Sequence, residues 1–330
     1  MSEHSDSPTG LSATDIARRL RDSRPARWND EGVRALVAAF PEGTAKPRPV
    51  GERERRYTDG EEYLEVAVPV REAEPGTAAQ TQAFAEVRAE LTGNLGKPSI
   101  LGSHGTMAPY FGRVPAWGAP FMRWRGERTT LELRAGEKGP ELVLQPTDPA
   151  EYWFSSQGHG EEHAISGYFG YRRHPSNAGL DFPGDWYARS WGTVESALAD
   201  FLGALPAETA ALGVTIAAPF YGGGPLLFDV FSADRLVLAC FAEGDQSGHG
   251  WGTAADHPAS RVHWDDDDDP AWRFDAGGPG EPDGRQLARM LVNTAKEAGV
   301  TSPHNLLLGG EATRVGDYYV TFYGLGLKVA

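Results

Sequence analysis

The strongest chemical pattern in the chain is His-Gly-Glu-Glu-His at 159–163. Formally it matches H-x-x-E-H, in which two histidines one helical turn apart bind zinc and the glutamate activates water. That chemistry needs an unbroken helix, so that both histidines face the same way. Gly158 and Gly160 flank and interrupt the pattern, and the upstream Gln-Gly-His-Gly reads as a turn. No third ligand is identifiable. His159, Glu162 and His163 are therefore only weak metal candidates on an exposed polar loop, and neither a metal nor another cofactor is expected.

Five aspartates follow one another at Asp265, Asp266, Asp267, Asp268 and Asp269. Carboxylates suit hard cations, but this run has neither the glycine at the sixth position nor the glutamate at the twelfth of a calcium loop. Consecutive like charges repel and stay solvated. The run sits in a Gly-, Asp-, His- and Trp-rich segment, 243–282, that also holds Trp251, Trp264 and Trp272. Aromatic anchors beside a charged rim are the composition of a protein interface. A loop this long is functional or disordered rather than a simple connection.

His104 and His249 lie in glycine-rich loops and could act as general bases. Neither has a serine or cysteine nucleophile at a known spacing. The chain has no G-x-S-x-G elbow, no Walker loop and no dinucleotide fingerprint after a strand. Cys240, in Arg-Leu-Val-Leu-Ala-Cys-Phe, is the single cysteine. A lone cysteine excludes an intramolecular disulfide and a cysteine-built zinc or iron–sulfur site. Its apolar setting reads as a buried small hydrophobe.

At 330 residues the chain can hold two domains, and 40% hydrophobic residues support a sizeable core. With 31 basic against 46 acidic residues the net charge is −15. That field opposes nucleic acid and anionic membranes and suits a basic protein partner. No run approaches the ~18 apolar residues of a membrane span. The first twenty residues lack the apolar core of a secretory signal. Cytoplasmic residence is the expectation, and the oligomeric state is left open.

The elements that would position these residues read as helices and short strands. Ser12 and Asp15 have capping-box spacing for a first helix. Val33, Leu36, Val37 and Phe40 form one stripe of a second, over 29–40. Residues 41–60 read as a linker and 63–70 as a strand. A longer helix spans 77–95, with Gly96 at its C-terminal cap. Residues 120–145 then alternate with period two: Met122 and Trp124, Leu131 and Leu133, Leu142 and Leu144. This predicts a three-stranded antiparallel meander, half-buried, with a charged outer face. A helix capped by Thr193 precedes a second meander at 214–241. Asp283 starts the last helix, and residues 305–310 and 317–324 read as a closing hairpin. Segments 97–119 and 147–192 read as aromatic loops.

The run Leu-Gly-Lys-Pro-Ser-Ile-Leu-Gly (95–102), followed by Arg-Trp-Arg-Gly-Glu-Arg-Thr-Thr-Leu-Glu-Leu (123–133), resembles an uncharacterised family of actinobacterial proteins. In that family a helix ending in Leu-Gly-x-Pro-Ser precedes a Trp-Arg strand and a Leu-x-Leu strand. The resemblance covers about a quarter of the chain and carries no catalytic residues. Some relatives look like immunity-type or accessory proteins of toxin loci, which implies a protein-binding role.

The expected fold is α+β. An N-terminal helical segment and linker (1–60) precede two helix-plus-meander units, 61–192 and 193–330, related by a possible duplication. The expected function is a protein-binding module, immunity- or antitoxin-like, that covers a basic partner through Trp251, Trp264, the aspartates 265–269 and Trp272. The alternatives are a hydrolase with its site in loops 97–119 and 147–192, and a structural scaffold component.

Overall fold

A computed structural model describes residues 10–49, 62–104, 115–155, 169–173, 186–224, 226–252, 272–309, 313–315 and 318–330. In chain order its elements are α1 (Ala13–Asp22), α2 (Asp30–Ala39), β1 (Thr44–Pro49), β2 (Glu62–Pro69), α3 (Thr77–Leu95), β3 (Ile100–Ser103), β4 (Pro120–Arg125), β5 (Thr129–Ala135), β6 (Pro140–Pro146), α4 (Thr147–Ser155) and β7 (Gly170–Arg173). They continue with α5 (Trp191–Leu212), β8 (Ile216–Gly223), β9 (Leu226–Ser232), β10 (Leu236–Phe241), β11 (Trp272–Gly277), α6 (Gly284–Glu297), β12 (Leu307–Leu308), β13 (Thr313–Val315), β14 (Tyr318–Thr321) and β15 (Lys328–Val329). The fold is α+β. The chain divides into two compact units, Met1–Asp185 with Arg314–Gly324, and Trp186–Thr313 with Leu325–Ala330.

The first unit is built on a nine-stranded sheet in the order β1-β2-β6-β5-β4-β3-β7-β14-β13. Its centre is the expected meander, with Trp124 opposite Leu131 and Leu131 opposite Leu144. One face carries Val66, Val68, Leu131, Leu133, Leu142 and Leu144, all buried, and α1 and α3 pack against these strands. α1 is capped by Ser12, whose Oγ accepts from the Asp15 amide at 3.1 Å. α2 is capped by Asn29, which accepts from Gly32 at 3.0 Å. Both caps satisfy amides that the helix itself leaves orphaned. α3 ends at Gly96, as its sequence requires.

Three expectations are corrected. The supposed linker contains β1, which pairs antiparallel with β2 at the sheet edge, where Pro47 and Pro49 are tolerated because an edge strand need not donate on both sides. The loop segments contain regular structure: β3 within 97–119, and α4 and β7 within 147–192. The closing hairpin does not form. β12 pairs with β8 and β15 in the second sheet, while β14 pairs with β7 in the first. Two adjacent strand-like sequences thus serve different sheets, which local alternation cannot reveal.

The second unit has a six-stranded sheet in the order β11-β10-β9-β8-β12-β15. Phe220, Phe228, Val230, Leu238 and Cys240 are buried on one face, and α5 packs on β9 and β10. α5 starts earlier than expected, because Ser190 is its cap and accepts from the Thr193 amide at 3.2 Å. α6 crosses α5 at two glycines. A Cβ on Gly284 would lie 2.0 Å from the Ala199 carbonyl oxygen and 2.9 Å from the Gly203 Cα, so the helices approach by backbone contact. Asp283 caps α6 through the Arg285 and Gln286 amides. Among the described residues no helix is long and apolar enough to cross a membrane.

Candidate functional site

Alternation puts Arg123, Glu132, Arg134, Glu141, Gln145, Tyr63 and Glu65 on the sheet face opposite α1 and α3. The expected charged outer face is instead interior: Arg123 is 5% exposed and Glu132 1%. Buried charges must be paired and hydrogen-bonded, and these are. The Arg123 Nε donates to Glu132 Oε2. Gln145 donates to the same oxygen at 3.3 Å, and its own Oε1 accepts from Tyr63 at 3.4 Å. Arg134 holds Glu65 at 2.6 Å and Glu141 at 2.7 Å, and Arg48 adds a contact to Glu65 at 2.9 Å.

His104 follows β3 and joins this network. Its Nε2 faces Glu132 Oε1 at 3.3 Å, and its ring stacks on Phe121 with centroids 4.2 Å apart. Burial favours the neutral imidazole and lowers its pKa despite the carboxylate. Burial alone would raise the two glutamates. The Arg134 and Arg48 guanidiniums outweigh that and hold Glu65 down at about 2. Arg123 and His104 hold Glu132 below the usual carboxylate range. Glutamates so firmly ionised are weak bases, so the network locks strands together rather than moving protons. Sequence reasoning treated these arginines and glutamates as solvated. The cue lay in their placement opposite one another on neighbouring strands, with opposite charges in register.

The second unit presents a different surface. Registers place Ala217, Phe231 and Val237 in one row of its sheet, Pro219, Asp229 and Ala239 in the next, and Tyr221, Leu227 and Phe241 in the third. This face points away from α5. Phe231 is 43% exposed. Ala217 is also exposed, and Pro219, Tyr221, Leu227, Val237 and Phe241 are half-buried. The unit is also the more acidic of the two, with 18 acidic and 8 basic residues against 28 and 23 in the first.

Of the residues expected at a partner interface, Trp251 is corrected. It is 3% exposed, its ring stacks on Phe228 at 6.1 Å, and its Nε1 donates to Thr294 of α6 at 2.9 Å. It is a core residue, because the glycine turn before it folds the chain back over the sheet. Trp272 opens the edge strand β11 opposite Cys240 and is half-buried. Trp264 and the aspartates 265–269 lie outside the described residues, as do His159, Glu162 and His163. His249 contacts Glu297 of α6. Cys240 is buried, and burial pushes its thiol up to about 12. Among the described residues no group of three or more His, Cys, Asp or Glu side chains is arranged to hold a metal ion. The chain matches no family model, and no curated protein or solved structure matches it.

Proposed function

We propose that this chain is a protein-binding module of the immunity or antitoxin type, and that the partly exposed face of the second sheet around Phe231 docks a basic protein. The carrying observation is the rows Ala217, Phe231, Val237 and Tyr221, Leu227, Phe241 on either side of Pro219, Asp229 and Ala239: a largely apolar face on the unit with the larger net negative charge. An apolar centre supplies affinity, while a surrounding field of one sign steers a partner of the other and sets the association rate. The resemblance of 95–102 and 123–133 to an actinobacterial family, some of whose relatives look like immunity-type or accessory proteins of toxin loci, points the same way. Cytoplasmic residence suits such a role.

The test is affinity capture from the source cell with the full chain and with Phe231→Glu. Phe231 is exposed, so this change leaves folding intact. A basic protein that binds the parent chain, is released by salt and is lost with Phe231→Glu supports the reading. Partners that are acidic, or that bind both chains equally, overturn it.

A further inference from the structure

A cleft of about 820 Å³ opens in the first unit between the segment after α1, the β4–β5 turn and the start of α4. Arg21 and Arg24 line it from one side and Arg128 from the turn, together with Glu127, Asp148 and Trp28. The three arginines make no ion pair within 4.0 Å among the described residues, although two carboxylates line the same cleft and the chain carries an excess of acid. Three guanidiniums against two carboxylates leave the lining with a net positive charge, and a planar, multi-donor guanidinium is the side chain best matched to phosphate oxygens.

The cleft is also preformed. The Thr147 amide donates to the Arg128 carbonyl at 3.0 Å, and Thr147 Oγ1 donates to the Gly126 carbonyl at 2.9 Å, so the turn is fastened to the start of α4. The Leu64 amide donates to the Trp28 carbonyl at 2.8 Å and fastens the opposite wall to β2. Pro25, Pro146 and Pro149 complete the lining with fixed backbone and apolar surface. Trp28 is 8% exposed and contributes an indole to it. The volume falls in the range of small-molecule sites, roughly 300–1,000 Å³, and exceeds what a bare inorganic anion needs.

We infer that this cleft binds an organic phosphate of nucleotide size, its phosphate against Arg21, Arg24 and Arg128 and its planar group against Trp28 and the prolines. Glu127 and Asp148, which have no basic partner within 4.0 Å among the described residues, then accept hydrogen bonds from hydroxyl or amino groups of the ligand. The cleft lies in the first unit and the proposed docking face in the second.

The experiment is calorimetric titration of the full chain with adenosine monophosphate, inorganic phosphate and adenosine. The monophosphate binds more tightly than either fragment. Arg24→Ala and Arg128→Ala each weaken it by roughly tenfold or more, the worth of one charge-assisted hydrogen bond. Arg18→Ala, on α1 with Arg21 but outside the lining, leaves binding unchanged. All three sites are exposed, and circular dichroism verifies that each variant folds. No heat with the monophosphate at millimolar concentration overturns the inference. So does adenosine binding as tightly as the monophosphate, or Arg18→Ala costing as much as Arg128→Ala.

Discussion

Arg134 reaches Glu65 at 2.6 Å across the strand that separates them, and its Nε holds Glu141 of that strand at 2.7 Å. One guanidinium therefore ties β5, β6 and β2 together inside the sheet. Removing either partner leaves the other charge buried with a single counter-ion, Arg48 for Glu65 or Glu141 for Arg134, and breaking a buried pair typically costs up to about 3–5 kcal/mol. Arg134→Ala and Glu65→Ala should each lower unfolding free energy by that order in urea titrations. The paired change Arg134→Met with Glu65→Leu should cost less than either single change. A loss below about 1 kcal/mol for Arg134→Ala is the range of an exposed pair and would contradict this pairing.

Acid should unfold the protein by a path that can be assigned. Glu65 has a folded-state pKa near 2 against an ordinary 4.5. A depressed carboxylate contributes stability that is complete above the unfolded value and is lost as pH falls through the folded one. The window is thus from about 4.5 down to about 2. His104 acts with the same sign: its folded pKa is lowered, so the unfolded chain takes up the proton first as pH drops below the ordinary 6.5. Thermal melts from pH 7 to pH 3 should show falling midpoints. Gln at position 65 should lower the midpoint at pH 7 and flatten the fall below pH 4.5.

Cys240 should be inert in the folded state. Its thiol is fully buried and its pKa is raised to about 12, so the thiolate is scarce and unreachable. A disulfide reagent at neutral pH should titrate one thiol per chain in denaturant and close to none without it. Fast reaction of the native protein would show that β10 opens to solvent.

Trp251 and the aspartate run should separate cleanly. Trp251→Ala removes an indole from between Phe228 and α6 and should destabilise the second unit by about 3–5 kcal/mol. Replacing residues 265–269 by asparagine should leave unfolding unchanged while slowing association with the captured partner and flattening its salt dependence. Unaltered association kinetics would place the steering charge elsewhere on the second unit.

Both meanders, the helix starts near Ser12, Asn29 and Asp283 and the glycine at 96 were legible because each is a local pattern: period two, a short polar side chain before a helix, or a glycine after one. What escaped depended on long-range pairing. Arg123, Glu132 and Arg134 read as solvent-facing because alternation assigns a face but does not tell what covers it. Trp251 read as exposed because its neighbours are polar, yet its ring is placed by Phe228 and Thr294, 23 residues before and 43 after it. The cleft around Arg128 joins residues 21–28 to 127–129 and 146–149, about a hundred residues further along the chain, so no local pattern marks it.

The route of β14 has a consequence for biosynthesis. The strand that flanks β7 comes from Tyr318–Thr321, after the whole of the second sheet's main body has been made. On the ribosome the nascent chain therefore displays the backbone edge of β7 while α5 to α6 are still being synthesised. That edge also lacks the Tyr318 hydroxyl, which later donates to the Pro98 carbonyl at 2.9 Å. An unpaired strand edge is an aggregation template. The first unit's sheet is therefore complete only after α6 and β12 of the second have been made.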